Sequence, residues 1–339
     1  MTDLSLRADA VGRVAALPTA PRDPEAGEVR VTVERCGICG SDLHWFLGRM
    51  PLPGVCPGHE ISGSVDALGA GVTGWTAGER VTIEPIVRCG ECPRCRAGDY
   101  HLCRSVNLYG VGLPGGMATH VVVPAYCLYR LPASVDYELG ALAEPLAVTV
   151  HALRLADVGP DSTVLVLGAG TIGQMTIAAA RHLGVRRIGA TARYAHQRAA
   201  AERLGCDEVL SPDQPRMSER PTVVIETVGG HTTTVADAVQ VIDAGGTVVI
   251  TGLFEDTPKF DPLTMLMKEV RIVASMVYNR HGPASDFDTA LDILATRGGD
   301  LRRLVTHTFP LTDAQHAFET AADKSSGAIK VMLAPGARS

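Results

Sequence analysis

Two textures of apolar and polar positions divide the chain. Through about residue 140, short stretches such as Glu28–Glu34 (EVRVTVE), Glu79–Val87 and Thr119–Val123 alternate between Pro/Gly turns. That period of two predicts half-buried strands and an all-β region. From about residue 145, apolar runs alternate with helical patterns. Strands are predicted at Thr163–Leu167, Ile188–Ala192, Glu208–Leu210, Thr222–Thr227, Thr247–Thr251 and Arg271–Ser275. In Thr171–Leu183, Ile172, Met175, Ala179 and Leu183 recur at helical spacing, and Gly184 follows as a stop. Six strands alternating with helices predict an α/β, doubly wound parallel sheet with helices on both faces. After Tyr278 the pattern predicts a helix near Ser285–Thr296, an extended stretch Val305–Pro310, a helix near Asp313–Ala322 and a last strand Ala328–Leu333. That tail is too small to fold alone and is expected to return and complete the N-terminal region. The expected division is 1–143, carrying a lobe at 88–104, then 144–279, then 280–339.

A length of 339 residues suggests about two domains. With 46% hydrophobic and 20% charged residues, the composition excludes a disordered chain. No apolar run approaches the roughly 18 residues a membrane helix needs. Met1–Ala10 carries Asp3, Arg7 and Asp9, so no signal peptide is read there and a cytoplasmic protein is expected. A net charge of −6 leaves no footprint for nucleic acid or anionic lipid, and the partner expected is a small molecule. Cysteine changes the picture. Four of the nine cysteines fall between Cys89 and Cys103, which without a secretory signal reads as metal binding, not a disulfide framework.

Gly168-Ala169-Gly170-Thr171-Ile172-Gly173 forms GxGxxG between a predicted strand and a predicted helix. The first glycine permits the tight turn, the second lets backbone approach a pyrophosphate, and the third lets helix pack on strand. The helix N-terminus offers unpaired N–H donors to the anion. An NAD site usually carries an acid about twenty residues on, at the ribose 2′-hydroxyl. Here Thr191-Ala192-Arg193-Tyr194 has no acid, and Arg193 can clasp a 2′-phosphate with Arg198 assisting. NADP(H) is the cofactor expected, with NAD as the alternative and a solvated surface charge as the blander reading of Arg193.

The spacing Cys89-x2-Cys92-x2-Cys95-x7-Cys103 supplies four thiolates to one tetrahedral zinc and leaves no open position, so this ion should staple a loop. An iron–sulfur cluster and a zinc-ribbon nucleic-acid module are the alternatives, the latter opposed by the acidic chain and 4% aromatic content. Upstream lie Cys36-Gly37-Ile38-Cys39-Gly40-Ser41-Asp42-Leu43-His44 and Gly58-His59-Glu60, and further on Ala143-Glu144-Pro145-Leu146. A mixed S/N/O donor set suits a catalytic zinc with one position open. Spacing alone does not join Cys39, His59 and Glu144. Taken singly, the bland readings stand: a buried cysteine, a satisfied histidine, a carboxylate capping a helix.

Taken in order, CGICGSDLH, GHE, the cysteine lobe, AEPLAVTVHA, GAGTIG and VTHTFPL resemble the zinc-dependent medium-chain alcohol/polyol dehydrogenases over nearly the whole chain. The resemblance implies a GroES-like, β-rich catalytic domain, closed by C-terminal segments, and a Rossmann domain. It implies Cys39 and His59 as ligands of a catalytic zinc, with Glu60 ligating or standing just behind the metal. Glu144, where simple alcohol dehydrogenases carry cysteine, resembles the sorbitol, threonine and glucose dehydrogenase branch and would bind zinc directly or through water. Ser41 and His44 match the family's proton relay, and Trp45 falls where polyol enzymes place a pocket-lining aromatic. Lys330, in GAIKVML, is expected to reach the cofactor, a solvated lysine being the bland alternative. The implied activity is hydride transfer between a secondary alcohol (polyol, sugar, cyclitol or amino-alcohol) and NADP(H), by a homodimer or homotetramer.

The chain departs from the family in two places. Met1–Ala16 lacks the usual opening strand, which leaves the first hairpin in doubt, and Cys56 stands where relatives usually carry an aliphatic residue; it is read as small core. Two rival functions are a zinc-free medium-chain reductase, which would not need Cys39, His59 and the lobe, and a non-catalytic zinc- and nucleotide-binding protein.

Overall fold

In Glu28–Gly37, the alternation becomes a strand in which Val29, Val31 and Val33 are fully buried and the residues between them half-buried. The computed structural model describes residues 3–336 and builds a first unit around this strand. Its elements are β1 (Leu4–Ala10), β2 (Arg13–Pro18), β3 (Glu28–Gly37), α1 (Gly40–Phe46), β4 (Glu60–Leu68), β5 (Arg80–Ile83), β6 (Ile86–Val87), α2 (Pro93–Arg96), β7 (Asn107–Leu108), β8 (His120–Pro124), β9 (Leu128–Arg130) and α3 (Tyr137–Gly140). β1 and β2 pair antiparallel from Leu4↔Pro18 to Ala10↔Arg13, so the chain opens on a hairpin after all. Only Leu6 and Val14 of this hairpin are buried, too few inward positions to write a readable alternation.

A second unit follows: α4 (Ala143–Leu155), β10 (Thr163–Leu167), α5 (Thr171–His182), β11 (Arg187–Thr191), α6 (Ala195–Arg203), β12 (Glu208–Leu210), β13 (Val223–Glu226), α7 (Thr234–Val241), β14 (Thr247–Ile250), α8 (Pro262–Lys268), β15 (Arg271–Ala274), β16 (Arg280–His281), β17 (Ala284–Ser285) and α9 (Asp286–Arg302). Six parallel strands stand in the order β12-β11-β10-β13-β14-β15. Val164, Leu165, Val166, Val224, Ile225, Val248 and Val249 are fully buried, because helices cover a parallel sheet on both faces. The order reverses at β10, which puts a ligand crevice at the carboxyl ends of β10 and β13.

The tail supplies β18 (Val305–Pro310), α10 (Ala314–Ala322) and β19 (Lys330–Ala334). β19 runs parallel to β18 and antiparallel to β3, with Met332 opposite Gly37 and Leu333 opposite Cys36. The first unit's seven-stranded sheet thus runs β18-β19-β3-β4-β5-β9, with β8 also on β3.

The return begins later than residue 280. Residues 145–293 and 299–304 belong to the second unit, and 294–298 and, among the described residues, 305–336 to the first. The reason lies at the start of α9, where buried Asp286 is tied into the second unit. Its Oδ2 stands 3.0 Å from His151 Nδ1 on α4 and accepts the Asn279 N–H at 2.9 Å, and its Oδ1 pairs with Arg154 at 2.7 Å. No helix among the described residues is long and apolar enough to cross a membrane.

Candidate functional site

Three donor side chains converge where β3, α1 and β4 meet. Cys39 follows β3 and precedes α1, and its backbone N–H is accepted by Asp42 Oδ2 at 2.9 Å, which fixes the entry to the helix. His59 leads into β4 and Glu60 opens it, in register with Gly37. A Cβ at Gly37 would lie 1.8 Å from Glu60 Oε2, so the absence of a side chain at 37 makes room for the carboxylate. One donor atom each from Cys39, His59 and Glu60 lies within 4.8 Å of the others. Donors bound to one zinc at about 2.0–2.3 Å stand about 3.3–3.8 Å apart, so small side-chain movements close the set on an ion.

The electrostatics agree with that fit. His59 is buried, and its Nδ1 has no hydrogen-bond partner among the described residues. Burial by itself pushes the His59 pKa down, but Cys39, Asp42 and Glu144 outweigh it and hold it well above the ordinary imidazole range. Burial likewise opposes the Lys330 ammonium, and Glu60, Cys39 and Glu144 carry its pKa up. Both shifts report excess negative charge, the condition a dication relieves. Glu144, buried near the start of α4, acts on both groups through its charge and stands outside the close cluster.

Two expected roles change here. Lys330 is not directed to a cofactor. It is 2% exposed, its Nζ lies 2.7 and 2.6 Å from Glu60 Oε1 and Oε2, and it donates to the Ile38 carbonyl at 3.0 Å. Trp45 is core, not pocket lining: it is 7% exposed, and its ring packs on Phe46 and on Phe318 of α10, the latter 5.2 Å away between centroids. On α1, Trp45 and Phe46 fall three and four residues after buried Asp42 and turn inward with it, whereas Ser41 and His44, one turn apart, stay half-buried. Cys56 is half-buried with its thiol 3.3 Å from the Met117 carbonyl, as a small core residue would be.

The lobe gathers all four of its sulfurs within the same 4.8 Å limit. Cys89 Sγ lies 3.8 Å from Cys95 Sγ and 3.6 Å from Cys103 Sγ, close to the roughly 3.8 Å edge of a tetrahedron with 2.3 Å Zn–S bonds. Cys92 caps α2, with Pro93 at the first helical position. Backbone N–H groups of Glu91 and Cys92 draw the Cys89 thiol pKa down to about 6, which favours the thiolate a metal binds.

In the second unit the glycine turn has the shape its sequence implied. Gly168 has φ +98°, and a Cβ there would meet Val228 at 2.7 Å. A Cβ at Gly173 would fall 1.9 Å from the Gly168 carbonyl oxygen, whereas one at Gly170 would have no atom within 4 Å. The turn is therefore tight beneath and open above, as an approaching pyrophosphate requires. Thr171 and Ile172 begin α5, whose N-terminus faces that opening. Arg193 is exposed just past β11, while Arg198 donates to the carbonyls of Val209 and Leu210 at 3.3 and 3.4 Å.

Comparison with known proteins now decides the family. Residues 25–133 match the alcohol dehydrogenase GroES-like domain, and residues 171–296 match the zinc-binding dehydrogenase family. The chain belongs to the zinc-dependent medium-chain alcohol dehydrogenases. It falls in the branch with polyol and threonine dehydrogenases. This dehydrogenase is 34% identical to the 2-dehydro-3-deoxy-L-galactonate 5-dehydrogenase of Pseudoalteromonas atlantica over 87% of this chain and 88% of that protein. Among solved structures, one from Sinorhizobium meliloti, described as a zinc-binding dehydrogenase and bound to NADP, is 31% identical with a TM-score of 0.88, covering 99% of this chain and 100% of its own. An Escherichia coli short chain alcohol dehydrogenase complexed with NADH is 26% identical with a TM-score of 0.89, covering 98% of this chain and 99% of its own.

Sequence reasoning missed several residues that shape the dehydrogenase's two sites. Asp42, three residues after Cys39, had a signal in the capping-box spacing. Thr191 and Thr227 brace the glycine turn: Thr191 Oγ1 accepts the Gly168 N–H at 2.8 Å, and Thr227 Oγ1 donates to the Leu167 carbonyl at 2.8 Å. Their strand-end positions were visible, their partners were not.

Proposed function

We propose that this dehydrogenase interconverts a polyhydroxylated or amino-bearing secondary alcohol and its ketone, using NADP(H) in preference to NAD(H). The reading is carried by the convergence of the Cys39, His59 and Glu60 donor atoms within 4.8 Å. In it these residues, with Glu144 beside them, hold a catalytic zinc, and Cys89, Cys92, Cys95 and Cys103 hold a structural one. When bound, the catalytic ion supplies Lewis acidity that brings alcohol ionisation toward neutral pH. Ser41 and His44 pass the released proton toward solvent. The open turn at Gly170 and the N-terminus of α5 hold the cofactor pyrophosphate, and exposed Arg193 clasps the 2′-phosphate. With Arg198 engaged on backbone carbonyls, Arg193 carries the cofactor preference.

The sugar-acid relative supports the substrate class, and the NADP-bound neighbour supports the cofactor. The NADH-bound one keeps NAD in the test. A cytoplasmic homodimer or homotetramer is part of the same proposal, to be checked by sedimentation.

Metal analysis and an absorbance screen at about 340 nm, with NADP and NAD against polyols, amino-cyclitols and simple alcohols, test the proposal. Two zincs per chain and NADP reduction with a polyol are expected. His59→Ala should lose one zinc and at least about a thousandfold in turnover, roughly 4 kcal/mol of barrier. Arg193→Ala should raise the NADP KM about tenfold or more and leave NAD unaffected. Near-wild-type turnover in Cys39→Ser or His59→Ala overturns the catalytic reading, and equal efficiency with NAD overturns the cofactor preference.

A further inference from the structure

We infer that Lys330 is a positioning residue of the metal centre: it grips the Glu60 carboxylate so that Glu60 serves the metal as a charge-damped ligand. The inference rests on Cys39 and His59 being metal ligands, and it concerns how strongly their neighbour can bind.

An ammonium has three N–H donors. Those of Lys330 are all used within the first unit, on Glu60 Oε1 at 2.7 Å, Glu60 Oε2 at 2.6 Å and the Ile38 carbonyl at 3.0 Å. Both side chains are almost completely buried, at 2% and 1% exposure. The third bond falls on the residue before Cys39, so one ammonium fixes the backbone leading to the thiolate and the carboxylate beside the imidazole. The arrangement depends on the tail: the Ile38 N–H donates to the Val331 carbonyl at 3.0 Å as β19 joins β3. Gly37 closes the other side of the carboxylate, since a Cβ there would overlap Oε2.

The Glu60 carboxylate therefore has a fixed cation on both oxygens while one of those oxygens also belongs to the donor cluster. A hydrogen bond from an ammonium occupies one lone pair on each oxygen and withdraws negative charge from the remaining ones. Glu60 then remains able to ligate but donates weakly, and the metal keeps its Lewis acidity for the substrate. Removing the ammonium leaves a buried carboxylate whose only counter-ion is the metal. Glu60 should then bind it more tightly.

Replacing the catalytic zinc with Co(II) makes the donor set visible as a ligand-field spectrum. In the full-length protein, Lys330→Met should weaken the visible cobalt band as Glu60 donates more strongly. Zinc loss to a chelator should slow about tenfold, and kcat should fall about tenfold or more. Lys330→Arg should restore the wild-type spectrum, because it keeps the buried charge. Glu60→Gln should cancel the effect of Lys330→Met, so that the double variant matches Glu60→Gln alone.

Where Lys330→Met does not fold, Lys330→Gln is read by the same spectrum, keeping a hydrogen bond without the charge. A cobalt spectrum and zinc off-rate unchanged by loss of the Lys330 charge overturn the inference, as does a change that persists without Glu60. A wild-type protein that takes up cobalt only in the cysteine lobe overturns the catalytic-zinc reading, and this inference with it.

Discussion

At the scale of single residues, the proposed metal centre is decided by what is missing as much as by what is present. Gly37 lies opposite Glu60 in the β3–β4 register, and its lack of a side chain leaves the space that the carboxylate fills. Gly37→Ala should force Glu60 aside, costing about 1–3 kcal/mol in unfolding free energy by overpacking. It should also lower zinc occupancy at the catalytic position. Denaturant titration and metal analysis check both, and a fully zinc-loaded variant of wild-type stability would contradict this account. Cys39 and His59 were legible as donors only through the resemblance to the family. The pairing of Glu60 with Lys330 was not, because an ion pair across 270 residues leaves no trace in local spacing. Trp45 shows the converse error: its position in the motif suggested a pocket, and the packing of Phe46 and Phe318 around it makes it core.

At the scale of elements, the cysteine lobe is anchored by a second device that no motif announces. Glu84, fully buried just after β5, accepts the Tyr100 hydroxyl. Arg88 lies 4.1 Å from the Tyr100 ring centroid and 4.8 Å from that of Tyr126, with its Nη1 3.5 Å from Glu84 Oε2. Tyr100 precedes Cys103, and Arg88 precedes Cys89, so the clamp grips both ends of the loop that the four sulfurs close. Glu84→Ala strips a buried partner from both and should cost about 3 kcal/mol. Zinc in the lobe should exchange faster with a chelator while the glycine turn keeps its nucleotide affinity. Unchanged thermal unfolding in that variant would remove the clamp from the account. Strands at the sheet centre were legible to within a residue, as Thr163–Leu167 shows, because burial on both faces writes an unbroken apolar run. The opening hairpin and the last turns of α9 were not, since each is half-solvated or held by contacts distant in sequence.

At the scale of the whole molecule, acidity tests the surface pairs that support both units. The Arg22 hydrogen bond holds Glu28 below the ordinary carboxylate range, and Thr264 and Ser325 do the same for Asp261 and Asp323. A pKa lowered on folding stabilises the folded state above the unfolded value, about 4, and that contribution is lost as pH falls through the folded values. Asp42, raised by burial, and the imidazoles of His59 and His231, raised by neighbouring negative charge, work in the opposite direction, the imidazoles above about pH 6.5. The lowered carboxylates should therefore make the unfolding free energy decline as pH falls below about 4. A urea series from about pH 5 to about pH 3 checks it, and stability rising as pH falls over that range would overturn it.

The sequence by itself determined the parallel sheet, the glycine turn and the four-sulfur lobe. Each is written in neighbouring residues, by backbone periodicity or by the reach of a short loop. Only the tertiary structure decided that the tail's Lys330 neutralises Glu60, that Trp45 is buried, and that residues 280–293 belong with the second unit. Those outcomes come from strand pairing and burial between distant segments, where side chains of any spacing can meet and the cost of an uncompensated buried charge selects the partner.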